Sequence, residues 1–440
     1  MKALRIRDFI NSGLKEFSRH DNVRSIPRLS DGFKESQRKA MWGMLRRGEH
    51  ADEIQVERCA AVCSAETLYH HGTGSMESTL IGLATNYAGS NNVNLLEPIG
   101  QFGSRLSKEW SAPRYIFTKV SPNFRKYFRK EDDILFDFIE EEGTKIEPRT
   151  FFPVLPMSIV NGAQGTGTGH ATMILGYKPK DVAKHIENVL LGKKSAAPLV
   201  PSFEGFTGTV SKNPETNQIT MEGRYEIVNT TTIKVVELPV GFQEEAYKSH
   251  LNKLEDKGLV KSYDDLSTEK GFEFVLNVPR TTSSMSHEKL MQTLKLIARD
   301  TENLTMWDVD GQLRRFESVE QAIERFVEWR VERYEDRRLK LIEIAKADLA
   351  WADERRRFVL FYLKNVDKFK GSGKKVLLEL LDANGFTDPD RLLGMPIWML
   401  TKDKIEELER EVVELKKHVE RLEADTAKDM YLREVRELTK

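Results

Sequence analysis

From Ser318 to Leu363 the chain runs without proline or glycine, and no other feature constrains its fold as strongly. Val319, Ile323, Phe326, Val331 and Tyr334 recur there at three-to-five spacing amid dense Arg and Glu. With no breaker and a helical apolar period, the run predicts one uninterrupted helix. About 45 residues at 1.5 Å each span ~70 Å. A second stretch places Ile405, Leu408, Val412, Leu415, Val419 and Leu422 at strict 3-4-3-4-3 spacing, the a/d seam of a coiled coil. Between the two lies an insert containing Gly and Pro, from Gly371 to Trp398. One helix out, a small knob and one helix back predict an antiparallel hairpin arm over residues 311–440, its knob at about 365–400.

The other 310 residues read as two further blocks. In residues 1–130, short helical patterns alternate with loops rich in Gly and Asn. Asp31 to Arg47 reads as a helix, with Phe33, Met41, Met44 and Leu45 on one apolar side and Lys34 and Arg38 one turn apart. ERCAAVCSAETLYHH reads as a second helix. SMESTLIGLATNY reads as a third, entered from Gly72 and Gly74. Three short helices followed by the strand-like RYIFTKV suggest a winged helix-turn-helix. An acidic patch, EEEGTKIEP, closes this block. Beyond it, FTGTV, RYEIVNTTTIKVVELPV and FEFVLNVP alternate as strands do. The fold expected is therefore an α+β multidomain chain: a winged-helix domain in 1–150, an α/β tower domain in 151–310 and the arm.

Charge separates these blocks. The chain carries 68 Lys and Arg against 69 Asp and Glu, a net charge of −1. Residues 1–130 hold 21 basic against 13 acidic residues, an excess of eight positive charges, which leaves −9 on the remainder. One basic surface on an otherwise acidic protein points to a polyanionic partner. No stretch reaches the ~18 apolar residues of a membrane span, and two prolines interrupt the best run, Phe151 to Val160. The N-terminus lacks the apolar core of a secretory signal, and Cys59 and Cys63 are the only cysteines. The expected setting is a reducing cytoplasm.

Several motifs imitate sites. GSGKK, Gly371 to Lys375, has Lys368 where a P-loop needs its first glycine and Lys375 where it needs Ser or Thr. Gly165, Gly167 and Gly169 miss the dinucleotide spacing, since position 170 is His170. These glycines still imply a backbone that bends sharply and approaches a neighbour closely. Cys59, Cys63, His70 and His71 fit no standard zinc spacing, and the two cysteines read as packing on an Ala-rich helix.

Among 11 tyrosines, Tyr115 stands out. It follows Arg114 in SAPRYIFTKV, just past the glycine-punctuated loop Pro98 to Trp110. A phenol, pKa ~10, is a poor nucleophile at neutral pH. Attack on a phosphodiester needs cations to stabilise the charge that develops; Arg114 is adjacent, and Arg24, Lys34 and His71 are further candidates.

The ordered series NVRSIPRLSDGFKESQRK, YHHGTGSMEST, EPIGQFGSR, SAPRYIF, IEPRTFFPVLPMSIVNGAQGTGTG, EGFTGTV, VVELPVG and LLGMPIWMLTKDKIEEL resembles the breakage-reunion region of type IIA DNA topoisomerases. The likeness runs from about residue 10 to beyond residue 420. Its extent resembles that of the medium subunits of phage T4-type topoisomerases. The resemblance implies that Tyr115 is the nucleophile, forming a 5′-phosphotyrosyl DNA link, with Arg114, Arg24 and His71 around the phosphate. It implies that Lys34, Arg38 and Lys39 contact DNA phosphates and that the helix from about Ser75 enters the major groove. Thr166 stands where the family usually has a DNA-wedging Ile, which implies a weaker wedge. The resemblance further implies double-stranded DNA and a second copy of the chain as partners, the arm forming the dimer gate. It also implies a separate large subunit that uses ATP and holds Mg²⁺ on a TOPRIM domain, with no metal ligands in this chain. The alternatives are a non-catalytic winged-helix and coiled-coil protein that bridges DNA, which leaves Arg114 and Tyr115 without a role, and a tyrosine recombinase, which needs its own Arg-His-Arg set.

Overall fold

The computed structural model describes residues 5–193, 197–213, 215–216 and 218–439. They form two compact units, Met1–Arg330 with Leu432–Lys440, and Val331–Tyr431.

The first unit opens with a helix that runs from Ile6–Phe9 through a wider π turn, Ile10–Leu14, into Lys15–Ser25. It stops there because Pro27 forces Ile26 into extended backbone, φ −105° and ψ 132°. The next helix, Glu35–Arg47, starts where Gln37 Oε1 accepts the Lys34 amide and ends at Gly48, φ 119°. As the apolar spacing predicts, Phe33, Met41 and Met44 are buried. Gly43 lets Val56–Glu66 approach: a Cβ there would fall 2.6 Å from Cys63 Sγ. The Val56–Glu66 helix stops five residues before the end of its sequence pattern. Thr67 Oγ1 donates back to the Cys63 carbonyl, and Leu68 takes φ 46°, so Tyr69, His70 and His71 leave the helix as a loop. That loop leads into Thr73–Ala84. These helices pack beside a three-stranded antiparallel sheet, with Phe117–Val120 between Ile54–Gln55 and Leu96–Ile99.

The acidic patch proves to be structural. Phe138–Glu141 and Thr144–Pro148 pair as a hairpin turning through Glu142, φ 50°, and Gly143, φ 75°. A second hairpin, Ala163–Gly167 with His170–Ile174, contains the glycine series. Gly165 and Gly167 meet the expected close approach, whereas Gly169 takes the turn, φ 75°, with nothing within 4 Å of a Cβ placed there. A Cβ at Gly165 would lie 2.0 Å from the Ser25 carbonyl oxygen, and one at Gly167 would lie 2.3 Å from Asn22 Oδ1.

The strand-like segments form antiparallel sheets. Four strands run in the order Arg224–Asn229, Thr232–Glu237, Phe274–Asn277, Ser262–Asp265. Ile233, Val235, Phe274 and Leu276 pack there with Tyr247 and Leu251 of helix Glu244–Asp256 and with Leu290 of helix His287–Thr293. A smaller sheet joins Thr209–Lys212, Gln218–Glu222 and Ile297–Thr301.

The breaker-free run forms one helix of 46 residues, Val319–Lys364. In the second unit its outer part is antiparallel to Lys402–Ala424. Contacts step in opposite directions along the two helices: Lys346 pairs with Glu423 at 2.7 Å and Arg355 with Glu411 at 2.7 Å. Leu408 and Val419 of the seam are buried, whereas Val413 beside the seam is exposed. Tyr334 stacks on Tyr431 with centroids 4.6 Å apart. Phe358, Leu381, Phe386 and Leu392 make a small core between Val319–Lys364, Lys374–Ala383 and Pro389–Leu393.

Candidate active site

Tyr115 is set by the strand that follows it. The Val56 amide donates to the Ile116 carbonyl at 3.0 Å, and Gln55 Nε2 donates to the Arg114 carbonyl at 3.1 Å. The Tyr115 amide closes a turn onto Ala112 at 2.8 Å. Alternation then sends Ile116 into the core and Tyr115 outward, 67% exposed. Gly100, φ 108°, packs on Ile116, where a Cβ would lie 3.0 Å from Cγ2. The Arg114 guanidinium carbon sits 4.8 Å from the Tyr115 ring centroid. Its hydrogen bond to the phenol and its charge hold Tyr115 below the ordinary tyrosine value of ~10. The result is an exposed phenol beside a guanidinium, on backbone tied down from both sides.

A separate cleft of about 350 Å³ gathers five more of the expected residues: Arg24, Lys34, His71, Ser75 and Thr166. Each comes from a different piece of backbone. Arg24 ends the Lys15–Ser25 helix, with Nη2 3.1 Å from Asp21 Oδ1. Lys34 Nζ donates to the Gln164 carbonyl at 2.6 Å, and burial holds its ammonium below the ordinary lysine value. His71 lies edge-on to Tyr69, centroids 5.2 Å apart. Its neighbour His70 pairs with Glu141 at 2.8 Å, which ties the loop to the acidic hairpin. Ser75 occupies the first turn of Thr73–Ala84, and Thr79 Oγ1 on that helix bonds Ser36 Oγ at 3.3 Å. Two cations, an imidazole and several hydroxyls around one cleft suit a phosphate. Tyr115 and Arg114 do not line it.

Two expected DNA contacts are corrected. Arg38 is 3% exposed, and its Nε and Nη2 grip Asp31 at 2.7 and 3.1 Å. Asp31 also accepts the Phe33 and Phe151 amides. Lys39 is 4% exposed and donates to Glu147 at 3.0 Å and to the Thr67 carbonyl at 2.7 Å. Both cations face inward and hold the helix to its neighbours, so they do not meet phosphates. Tyr69, Ser36 and Thr79 also line the cleft, and sequence reasoning missed them. Tyr69 had a signal, since it directly precedes the two histidines. Ser36 and Thr79 had none beyond their polarity.

Among the described residues no group of three or more His, Cys, Asp and Glu could hold a metal ion. Among the described residues no helix is long and apolar enough to cross a membrane.

An exposed Tyr–Arg pair just before the central strand of a small antiparallel sheet, and a separate cleft carrying two cations, are groups whose chemistry suits a phosphodiester. The A-subunit family of DNA gyrase/topoisomerase IV matches residues 24–437. DNA topoisomerase 2 of Arabidopsis thaliana is 36% identical over 86% of this chain and 26% of its own length. DNA topoisomerase 2-alpha of Gallus gallus is 33% identical over 97% of this chain and 30% of its own. The solved DNA-binding, cleavage and re-ligation domain of Plasmodium falciparum topoisomerase II superposes over the whole chain and 64% of that structure, with a TM-score of 0.90 and 31% identity. The chain belongs to this gyrase/topoisomerase IV family and corresponds to the breakage-reunion region of type IIA topoisomerases. It spans about a quarter to a third of the length of the curated relatives it matches. That membership favours neither the DNA-bridging nor the recombinase alternative.

Proposed function

We propose that the chain is the DNA cleavage-and-rejoining component of an ATP-dependent type IIA topoisomerase. The observation that carries this reading is Tyr115 itself: an exposed phenol on anchored backbone, its oxygen acidified by Arg114. In the cleavage step Tyr115 Oη bonds to a backbone phosphorus, the bond from phosphorus to the 3′-oxygen breaks, and that oxygen leaves as a hydroxyl once protonated. The phenolic proton passes to solvent. The phosphotyrosyl ester keeps the phosphodiester energy, so the reverse attack reseals the strand without ATP. Arg114 offsets the charge that develops on the nonbridging oxygens. Arg24, His71 and Lys34 line a second phosphate-binding cleft, and because the phenol does not line it in the same chain, a composite arrangement in a homodimer suits the geometry.

The three helices with their small sheet act as the winged helix in residues 1–150, with the Thr73–Ala84 helix in the major groove. Residues 151–310 serve as the tower, and 311–440 as the coiled-coil arm whose knob closes a dimer gate. ATP and Mg²⁺ belong to a separate large subunit in the manner of phage T4-type enzymes. A surface suited to such a partner is the first helix, where Ile6, Phe9, Ile10, Leu14 and Phe17 are all exposed. To test the reading, the chain is mixed with candidate ATPase/TOPRIM subunits, Mg²⁺ and supercoiled plasmid, then denatured with detergent. Linear DNA with protein on its 5′ ends is expected; recovery of intact circles alone contradicts it.

A further inference from the structure

Asp21 faces two ways. Its Oδ1 lies 3.1 Å from Arg24 Nη2, one turn along the same helix. Its Oδ2 accepts the Thr168 hydroxyl at 2.7 Å, from a residue 147 positions away. Thr168 sits in the turn between Ala163–Gly167 and His170–Ile174, the hairpin that presents Thr166. The same hairpin is held at two more points, one of them backed by Trp307. Asn22 Nδ2 donates to the Thr168 carbonyl at 3.1 Å, and Trp307 Nε1 holds the Asn22 carbonyl at 3.1 Å. Lys34 Nζ donates to the Gln164 carbonyl. Both cations of the cleft are therefore fastened to one hairpin: Lys34 directly, Arg24 through Asp21.

The placement of Asp21 has an electrostatic cost. A carboxylate 3.1 Å from a guanidinium cancels much of its field and repels a nearby phosphate. If Arg24 served only to attract DNA, an acid there would be counterproductive. What the acid supplies is direction. Arg24 has several rotatable bonds and is more than half exposed, so without a partner its guanidinium samples many positions. The Thr168 hydroxyl and Arg24 together hold Asp21 below the usual carboxylate range, so it is an anion at neutral pH and its grip persists.

We propose that Asp21 is a positioning residue for DNA cleavage: it locks the Arg24 guanidinium to the Thr166 hairpin, so that the hairpin's seat on DNA and the phosphate contact are set together. This rests on the cleavage function proposed above. It differs from an ordinary structural tie in one respect: removing the charge separates binding from turnover in opposite directions. In Asp21→Asn the repulsion is gone, so DNA affinity is unchanged or tighter, while the cleavage rate at saturating DNA falls between ~10- and ~100-fold because the guanidinium is misplaced. Thr168→Val keeps the charge but cuts the link to the hairpin, so its cleavage rate falls by a similar factor. Thr168→Ser restores the hydroxyl and the rate. The double variant Asp21→Asn/Thr168→Val is no slower than the slower single one, because both act through one contact.

The experiment measures single-turnover formation of detergent-trapped 5′-linked DNA by the full chain with its large subunit. DNA dissociation constants of the same variants come from fluorescence anisotropy, and thermal unfolding checks that each is folded. Wild-type cleavage rates in Asp21→Asn, weaker binding with an unchanged rate, or additive losses in the double variant overturn the proposal. Should Asp21→Asn not fold, the contrast between Thr168→Val and Thr168→Ser decides: equal rates overturn it, and loss with rescue upholds it. Failure of the wild type to form any covalent adduct is a different result, and counts against the cleavage function itself.

Discussion

At position 115 one guanidinium changes what a phenol can do. Arg114 stabilises the phenolate, so the folded Tyr115 releases its proton at a lower pH than free tyrosine. Cleavage that depends on the phenolate should therefore rise with pH and level off sooner in the wild type than in Arg114→Gln, whose limb moves to higher pH. Coincident pH–rate profiles for single-turnover cleavage would show that Arg114 does not tune the nucleophile. A second contrast lies in DGFKESQRK, where three cations with equal claims on DNA divide by direction. Lys34 lines the cleft, whereas Arg38 and Lys39 are buried in ion pairs. Removing one partner from a buried pair leaves an uncompensated charge, at about 3–5 kcal/mol. Arg38→Ala should thus lower unfolding free energy by that order in urea titrations. Lys34→Ala, which loses one hydrogen bond to the hairpin, should cost only about 1 kcal/mol but reduce the salt slope of DNA binding by about one. Residue type was legible at these positions, but direction was not, because Arg38 turns inward when Asp31, at the start of the same motif, folds back onto it, and Lys39 when Glu147 arrives from the acidic hairpin.

Elements divide along the same line between local and distant causes. The helix Val319–Lys364 was readable almost to its ends, since its hydrogen bonds are local and nothing in the run interrupts them. The stop at Glu66 was not, because Leu68 adopts a left-handed backbone that no leucine signals. The order of the four-stranded sheet was equally hidden, since alternation marks strands without naming their partners. The close approach expected of the glycine series holds at 165 and 167 but not at 169, which turns at φ 75° with nothing within 4 Å, and the surface approached, the end of the Lys15–Ser25 helix, came only with the fold. Thr166 is exposed on that hairpin. Restoring a larger apolar side chain with Thr166→Ile should sharpen the DNA bend and shift the preferred cleavage sites, as read by fluorescence energy transfer across a labelled duplex and by site mapping. An unchanged bend angle with unchanged sites would remove Thr166 from the wedge role.

At the scale of the whole molecule, exposed large apolar side chains gather along the first helix. The apolar side chains of the first helix gain nothing from this chain's own core. Replacing Phe9 and Phe17 with Asp should abolish capture of the proposed large subunit while leaving the thermal unfolding temperature within a degree or two, since neither side chain is buried. Unimpaired association would move the partner interface elsewhere. The charge asymmetry, legible from composition alone, foretold a polyanion but not which cations meet it. The central claim is that one phenolic oxygen carries the strand break. It is tested most directly by comparing the wild type with Tyr115→Phe, each with its large subunit, Mg²⁺ and 5′-labelled supercoiled DNA, after detergent denaturation. The account predicts that the variant binds DNA as the wild type does and yields no covalent adduct; an adduct that persists without that hydroxyl would contradict it.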